Sequence, residues 1–196
     1  MIANLRAAIV ALLALTVITG LLYPLMVTGV AQAAFARQAN GSLITDPSGR
    51  TVGSHWIGQS FDDPKYFWGR LSATTDSNGK ALPYNAGSSV ASNLGPTNPA
   101  LLDEVNGRIK ALTEADPDNH DAIPVDLVTS SGSGLDPDIS PAAAAYQLRR
   151  VAKARGLDEA LVRAKVDAHT SERQLGILGE RTVNVLELNL DLDGSH

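Results

Sequence analysis

The stretch that decides the architecture is Ala7–Val27, which reads AAIVALLALTVITGLLYPLMV and holds no charged side chain. As a helix of 21 residues it would span about 32 Å, close to the ~30 Å hydrocarbon thickness of a bilayer. No charge occurs anywhere between Arg6 and Arg37. The sequence therefore predicts a short N-terminal tail at residues 1–6 and one transmembrane helix with its exit at residues 7–36, whose core is 7–27.

A cleavable signal peptide is the alternative interpretation of this segment. Arg6 supplies a positive N-terminal region, and Ala31-Gln32-Ala33 has the small-residue pattern of a cleavage site. The apolar run, however, exceeds the usual ~7 to 15 apolar residues of a signal peptide, and a second apolar stretch continues to Phe35. We therefore prefer a permanent anchor.

Three residues within the span predict contact with partner helices. Gly20 allows close approach of another backbone, Pro24 frees a backbone carbonyl, and Thr28 offers a hydroxyl near the end of the run. The flanking charges are nearly balanced and give little orientation. Because a tail of six residues stays in the cytoplasm more readily than a whole domain, we expect the C-terminal domain to be exported.

The rest of the chain, residues 37–196, is predicted to be one small α/β (α+β) soluble domain, placed outside the cytoplasm. All 21 acidic and 14 of the 16 basic side chains follow residue 37, which gives a balance of −7. This acidity argues against a nucleic-acid partner. The absence of cysteine excludes disulfides, thiolate metal sites and cysteine nucleophiles.

Turn-forming residues and short apolar runs predict strands and loops in the first half of this domain, with strands at residues 42–45, 54–58 and 66–68. Two further strands are expected in the second half, at residues 123–128 and 183–192. Helices are expected where an N-cap residue precedes a helical pattern: after Asn98 as far as Asp116, after Ser140 as far as Gly156, and after Asp158 as far as His169.

One loop has the composition of a ligand cradle. Ser131-Gly132-Ser133-Gly134 lies between a predicted strand and a predicted helix, where amides and hydroxyls can surround an anion. It is neither a P-loop nor a dinucleotide fingerprint, since Pro137 stands where the third glycine would be. An ordinary turn with left-handed glycines is the competing interpretation.

No set of residues with a catalytic or metal-binding pattern emerges. Ser77-Asn78-Gly79-Lys80 matches Ser-x-x-Lys but lacks a companion Lys-Thr-Gly, and there is no Gly-x-Ser-x-Gly. The four histidines are scattered without the spacing of metal ligands. The residues alone thus predict a membrane-anchored α/β domain with no catalytic residue and no metal site.

Motifs along nearly the whole chain nevertheless resemble one family. They include QANGSLI at 38–44, SGSGLD at 131–136, RVAKAR at 150–155 and VNVLELNL at 183–190. The chain resembles the KdpC family, the C subunit of bacterial Kdp potassium-transporting P-type ATPases.

The resemblance implies a single-span, non-catalytic subunit of a high-affinity potassium uptake complex in the inner membrane. Its implied partners are a channel-like potassium-translocating subunit, an ATP-hydrolysing P-type subunit, a small membrane peptide and the lipid bilayer. The chain agrees, since it lacks the Asp-Lys-Thr-Gly that such a pump phosphorylates. No cofactor of its own is implied.

The family is further described as a catalytic chaperone that raises the ATP affinity of the pump subunit. Carried over to this sequence, that description points to ATP contact at Ser131, Gly132, Ser133, Gly134 and Gln147. An exported domain would face a compartment without ATP, which conflicts with this expectation. A second function class stays open at this point: a signal-anchored extracytoplasmic hydrolase or solute-binding domain built on the same loop.

Overall fold

The computed structural model describes residues 2–194 and divides the chain into two compact units, with the boundary between Leu43 and Ile44. The first unit is almost entirely helical. It consists of α1 (Ile2–Val17), a π-helical segment (Ile18–Leu22), α2 (Tyr23–Ala34) and the short α3 (Ala36–Ala39). From Asn4 to Ala34 it forms one 31-residue helix, in which a stretch of 18 residues reaches a mean hydropathy of 2.3. This helix is long and apolar enough to cross a membrane.

The π-helical segment explains how the span accommodates Pro24. The Tyr23 N–H donates to the carbonyl of Ile18, five residues back. Proline has no N–H, and its ring would clash with the carbonyl four residues earlier in a regular α-helix. The wider turn directly before Pro24 lets the helix continue past it, as π turns inside α-helices do.

As far as Gly194, the last described residue, the second unit combines five helices with short strands. Its elements, in chain order, are β1 (Leu43–Thr45, which begins at the boundary), β2 (Thr51–Ser54), α4 (Pro99–Ala115), α5 (Val125–Val128), β3 (Asp138–Ile139), α6 (Pro141–Arg155), α7 (Glu159–Ala168), β4 (Thr170–Ser171), β5 (Thr182–Asn184) and α8 (Val185–Asp193). One apolar span followed by a mixed helix and strand region is the fold class that the sequence predicts.

The core of this unit forms around the antiparallel sheet β3-β5-β4. Val183 at its centre pairs with Ile139 on one side and Thr170 on the other, and is fully buried. Helices α6 and α8 contact β5, and α7 contacts both α6 and α8. The core side chains with no exposed surface are Phe67, Leu127, Ala143, Ala144, Val151, Val162, Val183, Leu188 and Leu192.

The structure confirms the three helix starts that capping residues predict. The side chains of Asn98, Ser140 and Asp158 each accept a hydrogen bond from a backbone N–H in the first turn of α4, α6 and α7. Gly156 ends α6 with a left-handed φ of 66°. These signals lie within a few residues of the backbone groups that they satisfy.

Two of the predicted strands contain helix. Residues 123–128 contain the short helix α5, which begins directly after Pro124. Residues 183–192 begin as β5 but turn helical at Val185, because the Asn184 side chain accepts from the Glu187 N–H and caps α8. Leucines at every second position favour a strand, but Val185, Leu188, Asn189 and Leu192 have the spacing of a buried helical face. The cap decides between the two.

The strands predicted at 54–58 and 66–68 are also wrong, whereas the strand predicted at 42–45 is confirmed as β1, Leu43–Thr45. Of residues 54–58, only Ser54 belongs to a strand, as the last residue of β2, and it forms an isolated bridge with Ile57. Residues 66–68 form no strand and pair with no strand within residues 2–194. Two side-chain amides replace the missing strand.

We call Gln147 and Asn189 the amide clamp. The N–H of Phe67 donates to Asn189 Oδ1 and its carbonyl accepts from Asn189 Nδ2, both at 2.9 Å. The N–H of Trp68 donates to Gln147 Oε1 at 2.8 Å, and its carbonyl accepts from Gln147 Nε2 at 3.1 Å. Buried backbone groups need partners, and each amide supplies both a donor and an acceptor.

Candidate functional site

The two serine hydroxyl groups of the Ser131–Gly134 loop accept hydrogen bonds from backbone N–H groups two or three residues further along the chain. Ser131 Oγ accepts from the Gly134 N–H at 2.8 Å, and Ser133 Oγ accepts from the Leu135 N–H at 3.1 Å. The Ser131 N–H donates to the carbonyl of Leu71 at 3.0 Å. Ser131 is 2% exposed, so its hydroxyl lies away from any ligand in solution.

The C-terminal half of the loop is fastened to the segment around residues 72–90. The Ser133 carbonyl accepts from the Val90 N–H at 2.9 Å, and the Gly134 carbonyl accepts from Ser72 Oγ at 2.7 Å. Gly134 has a φ of 69°, and a Cβ there would lie 2.5 Å from Thr74 Cγ2. Gly134 is therefore required for packing and for its left-handed backbone.

Gly132 and Ser133 are the exposed part of the loop. A Cβ at Gly132 would meet no atom within 4 Å. Within residues 2–194 the N–H groups of Gly132 and Ser133 have no hydrogen-bond acceptor. These two amides and the O–H of Ser133, whose oxygen only accepts within the loop, are donors that the loop can offer to an anion.

Gln147 does not share a site with this loop. Its side chain is buried, its amide holds the backbone of Trp68, and its Oε1 also accepts from Arg150 Nη2 at 2.7 Å. The remaining contact of Nε2 is with the carbonyl of Ala143. The structure thus brings together the four loop residues and places Gln147 in the core.

A cavity of about 360 Å³ opens beside the loop, between Leu71, Ser130 and helix α4. Its one basic side chain is Arg108, which donates from Nε to the Leu127 carbonyl at 3.0 Å and from Nη2 to the Gly69 carbonyl at 2.9 Å. Burial lowers the pKa of Arg108. This cation mainly fastens the backbone, and the cavity holds no arrangement of nucleophile and base among the described residues.

Tyr84 is a second buried polar group near the loop. Its hydroxyl donates to the Arg70 carbonyl at 2.6 Å, and burial raises its pKa to about 12. A Cβ at Gly58 or Gly69 would lie 2.5 or 2.7 Å from the Tyr84 side chain. The ring therefore packs directly against two glycines and holds the loop segments together.

In the apolar helix, Gly20, Pro24 and Thr28 follow one another at intervals of four residues and so lie along one side. All three are exposed, and a Cβ at Gly20 would meet no atom within 4 Å. This side offers an open surface to another helix, since small residues allow close approach in membranes.

Sequence reasoning missed Asn189 and Arg150. Arg150 donates to the carbonyls of Pro64 and Tyr66, and its guanidinium lies 4.6 Å from the centre of the Trp68 ring. Burial lowers the pKa of Arg150 to about 10. A signal existed for Asn189 alone: it is a polar residue on the apolar face of a capped helix.

One helix long and apolar enough to cross a membrane, followed by an α/β domain, is the architecture expected of a single-span membrane protein. The chain belongs to the KdpC family, because the family model described as K+-transporting ATPase, c chain, matches residues 5–194. The sequence is 62% identical over 188 residues to the potassium-transporting ATPase KdpC subunit of Paraburkholderia phytofirmans, covering 96% of this chain and 95% of that protein.

Two further relatives carry the same name. The KdpC subunit of Sorangium cellulosum is 59% identical over 195 residues, and the alignment covers 100% of both chains. That of Herpetosiphon aurantiacus is 57% identical over 188 residues, with 96% of this chain and 94% of the relative covered. Membership of this family favours the transporter subunit over an unrelated anchored hydrolase or binding domain.

Proposed function

We propose that the chain is the non-catalytic C subunit of an ATP-driven, high-affinity potassium uptake complex and stabilises its assembly. The observation that carries this proposal is similarity from the apolar helix to the last described helix, residues 5–194, to proteins named as KdpC subunits of potassium-transporting ATPases. A shared anchor and a shared domain support a shared role in the assembled complex.

The proposed partners are a channel-like potassium-translocating subunit, an ATP-hydrolysing P-type subunit and a small membrane peptide. The open side of the span at Gly20 supports packing against a partner helix. The sequence contains no Asp-Lys-Thr-Gly for phosphorylation, so the energy source belongs to a partner.

The proposed location is the inner membrane, with the domain outside the cytoplasm. Similarity to transporter subunits and the apolar helix support the membrane location, and the orientation stays a prediction. A single cysteine tests it, because the natural chain has none. Asp118 has a side chain that is 77% exposed. Asp118→Cys should react in intact cells with a thiol reagent that does not cross the inner membrane, and labelling only after lysis would reverse the orientation.

The finer part of the proposal is that the chain raises the ATP affinity of the pump subunit. Direct ATP contact stays a prediction, and the exposed donors that support it are the amides of Gly132 and Ser133 and the Ser133 hydroxyl. Gly132→Val should then raise the ATP concentration that the intact complex needs, whereas potassium affinity should not change. An intact complex with unchanged ATP dependence would remove the loop from nucleotide binding.

A growth experiment tests the assembly role. Cells that lack this chain but express the other subunits should fail to grow when potassium is scarce, and the full chain should restore growth. The same strain should grow normally when potassium is plentiful. Growth at scarce potassium without the chain would contradict the proposal.

A further inference from the structure

The β-hairpin at residues 172–181, between β4 and β5, carries an apolar tip that the fold does not bury. Leu175, Ile177 and Leu178 are 88%, 74% and 54% exposed. Trp56 is 62% exposed and, together with Leu178, lines the cavity beside the hairpin. On soluble domains, contiguous exposed apolar side chains of this kind mark interaction sites.

The tip has a fixed shape. Gln174 and Leu178 exchange two backbone hydrogen bonds of 2.9 Å. Leu175 adopts a left-handed φ of 54°, which is unfavourable for a residue with a Cβ. The hairpin stems are joined by ion pairs from Arg181 to Glu172 at 2.8 Å and from Arg173 to Glu180. The apolar side chains are thus displayed on an ordered support.

An acidic recess adjoins the tip. It is a cavity of about 580 Å³ lined by four carboxylates, and no lysine or arginine lines it. The carboxylates belong to Asp138, Glu172, Glu180 and Glu187. Arg181 and Arg173 offset the charges of Glu172 and Glu180. The excess negative charge of the recess therefore lies on Asp138 and on Glu187, whose partner is the His55 ring at 2.9 Å.

Charge selects the occupant of this surface. Anionic lipid headgroups and a second copy of this acidic domain would both meet like charge. A protein segment that combines apolar side chains with a lysine or arginine would meet complementary groups at the tip and in the recess. The lysine or arginine would also lie near the indole of Trp56, a favourable neighbour for a cation.

We propose that the hairpin tip and the acidic recess form the docking surface for another subunit of the transport complex. That subunit presents an apolar socket to Leu175 and Ile177 and a basic side chain to the recess. This inference rests on the proposed function, because it requires that the chain assembles with partner subunits.

A photo-crosslinking amino acid at Leu175 tests the docking surface in the full complex. The matched control is the same group at Leu102, an apolar side chain of α4 that is 59% exposed. We expect Leu175, but not Leu102, to crosslink to another subunit, in a peptide that contains a lysine or arginine. Crosslinks only to lipid, only to a second copy or to no protein would overturn the inference, as would equal yields at both positions.

Substitutions then test the chemistry of the contact. Ile177→Asp should lower the Leu175 crosslinking yield about tenfold, because central apolar contacts dominate interface energies. Val125→Asp, on an α5 residue that is 71% exposed, should change it less than about twofold. Both variants should keep the melting temperature of the parent chain. An unchanged yield with Ile177→Asp would contradict the proposal.

The proposed function and the docking surface can be overturned separately. A chain that recovers no ATPase subunit would overturn the proposed function and the docking surface together. A chain that recovers the subunits but gives no subunit crosslink from Leu175 would overturn the docking surface alone.

Discussion

Replacing Gln147 tests whether this residue is part of a structural clamp or of a nucleotide site. In Gln147→Leu the side chain keeps a similar size but loses its amide. The N–H and carbonyl of Trp68 then lose both partners, at 2.8 and 3.1 Å in the native chain. Trp68 is only 6% exposed, so water cannot easily replace them.

The expected loss in free energy of unfolding follows from two buried backbone groups that are left without hydrogen-bond partners. Each buried, unpaired group costs about 1 to 3 kcal/mol, which gives about 2 to 6 kcal/mol for the pair. In a domain of this size that corresponds to a fall in melting temperature of roughly 5 to 20 °C. Arg150 retains its bonds to Pro64 and Tyr66, so its loss of one acceptor adds little.

The assay is thermal unfolding of the purified chain in mild detergent, followed by tryptophan fluorescence. Trp68 is the buried probe, and Trp56→Phe in the background removes the exposed one. Gln174→Leu is the control, because the same change at an exposed position should shift the free energy of unfolding by less than about 0.5 kcal/mol. A melting temperature of Gln147→Leu within about 1 °C of the parent would refute the clamp.

The other predictions concern glycine, tyrosine and the membrane helix. Gly134→Ala should lower the free energy of unfolding by about 2 to 4 kcal/mol, because alanine is strained in the left-handed backbone and its Cβ clashes with Thr74. Gly132→Ala should change the free energy of unfolding by less than about 0.5 kcal/mol. Urea titrations measure both values. With the pKa of Tyr84 raised to about 12, the unfolded chain releases this proton first, so stability should be complete below pH 10 and fall by about 2 to 3 kcal/mol as the pH rises to 12. In Tyr84→Phe, the free energy of unfolding from urea titrations should fall less between pH 10 and pH 12. An equal fall in the parent and the variant would show that Tyr84 is not its cause. Gly20→Leu should reduce recovery of partner subunits in mild detergent, because its side chain prevents close approach; full recovery would place Gly20 outside the interface.

Local signals account for what the sequence predicted well. Asn98, Ser140 and Asp158 act on backbone groups two or three residues away, so their meaning does not depend on the rest of the fold. The apolar helix is equally local, since its length and lack of charge suffice.

Long-range contacts account for what the sequence could not predict. Residues 66–68 have the composition of a strand, but their partners are the amides of Gln147 and Asn189, the latter 122 positions away from Phe67. Gln147 carried a functional prediction from resemblance, yet its burial depends on how α6 packs. For the loop, composition indicated a cradle, but only tertiary contacts separate the buried Ser131 and Gly134 from the exposed Gly132 and Ser133.

Residues 183–192 show two local signals in competition. Alternating leucines favour a strand, whereas Asn184 and Glu187 have the spacing of a helix cap. The cap prevails because β5 has already placed Val183 in the sheet centre, and a helix then buries Leu188 and Leu192.

Purification of the tagged chain in mild detergent, from cells that express the whole complex, tests the central claim most directly. The proteins that come with it should include a P-type ATPase subunit with a phosphorylatable aspartate and a potassium-translocating membrane subunit, and the preparation should hydrolyse ATP in response to potassium. The same purification through a partner's tag, from cells without this chain, should yield an unstable or inactive assembly. A chain that purifies alone, or a partner complex that is stable and fully active without it, would contradict the account.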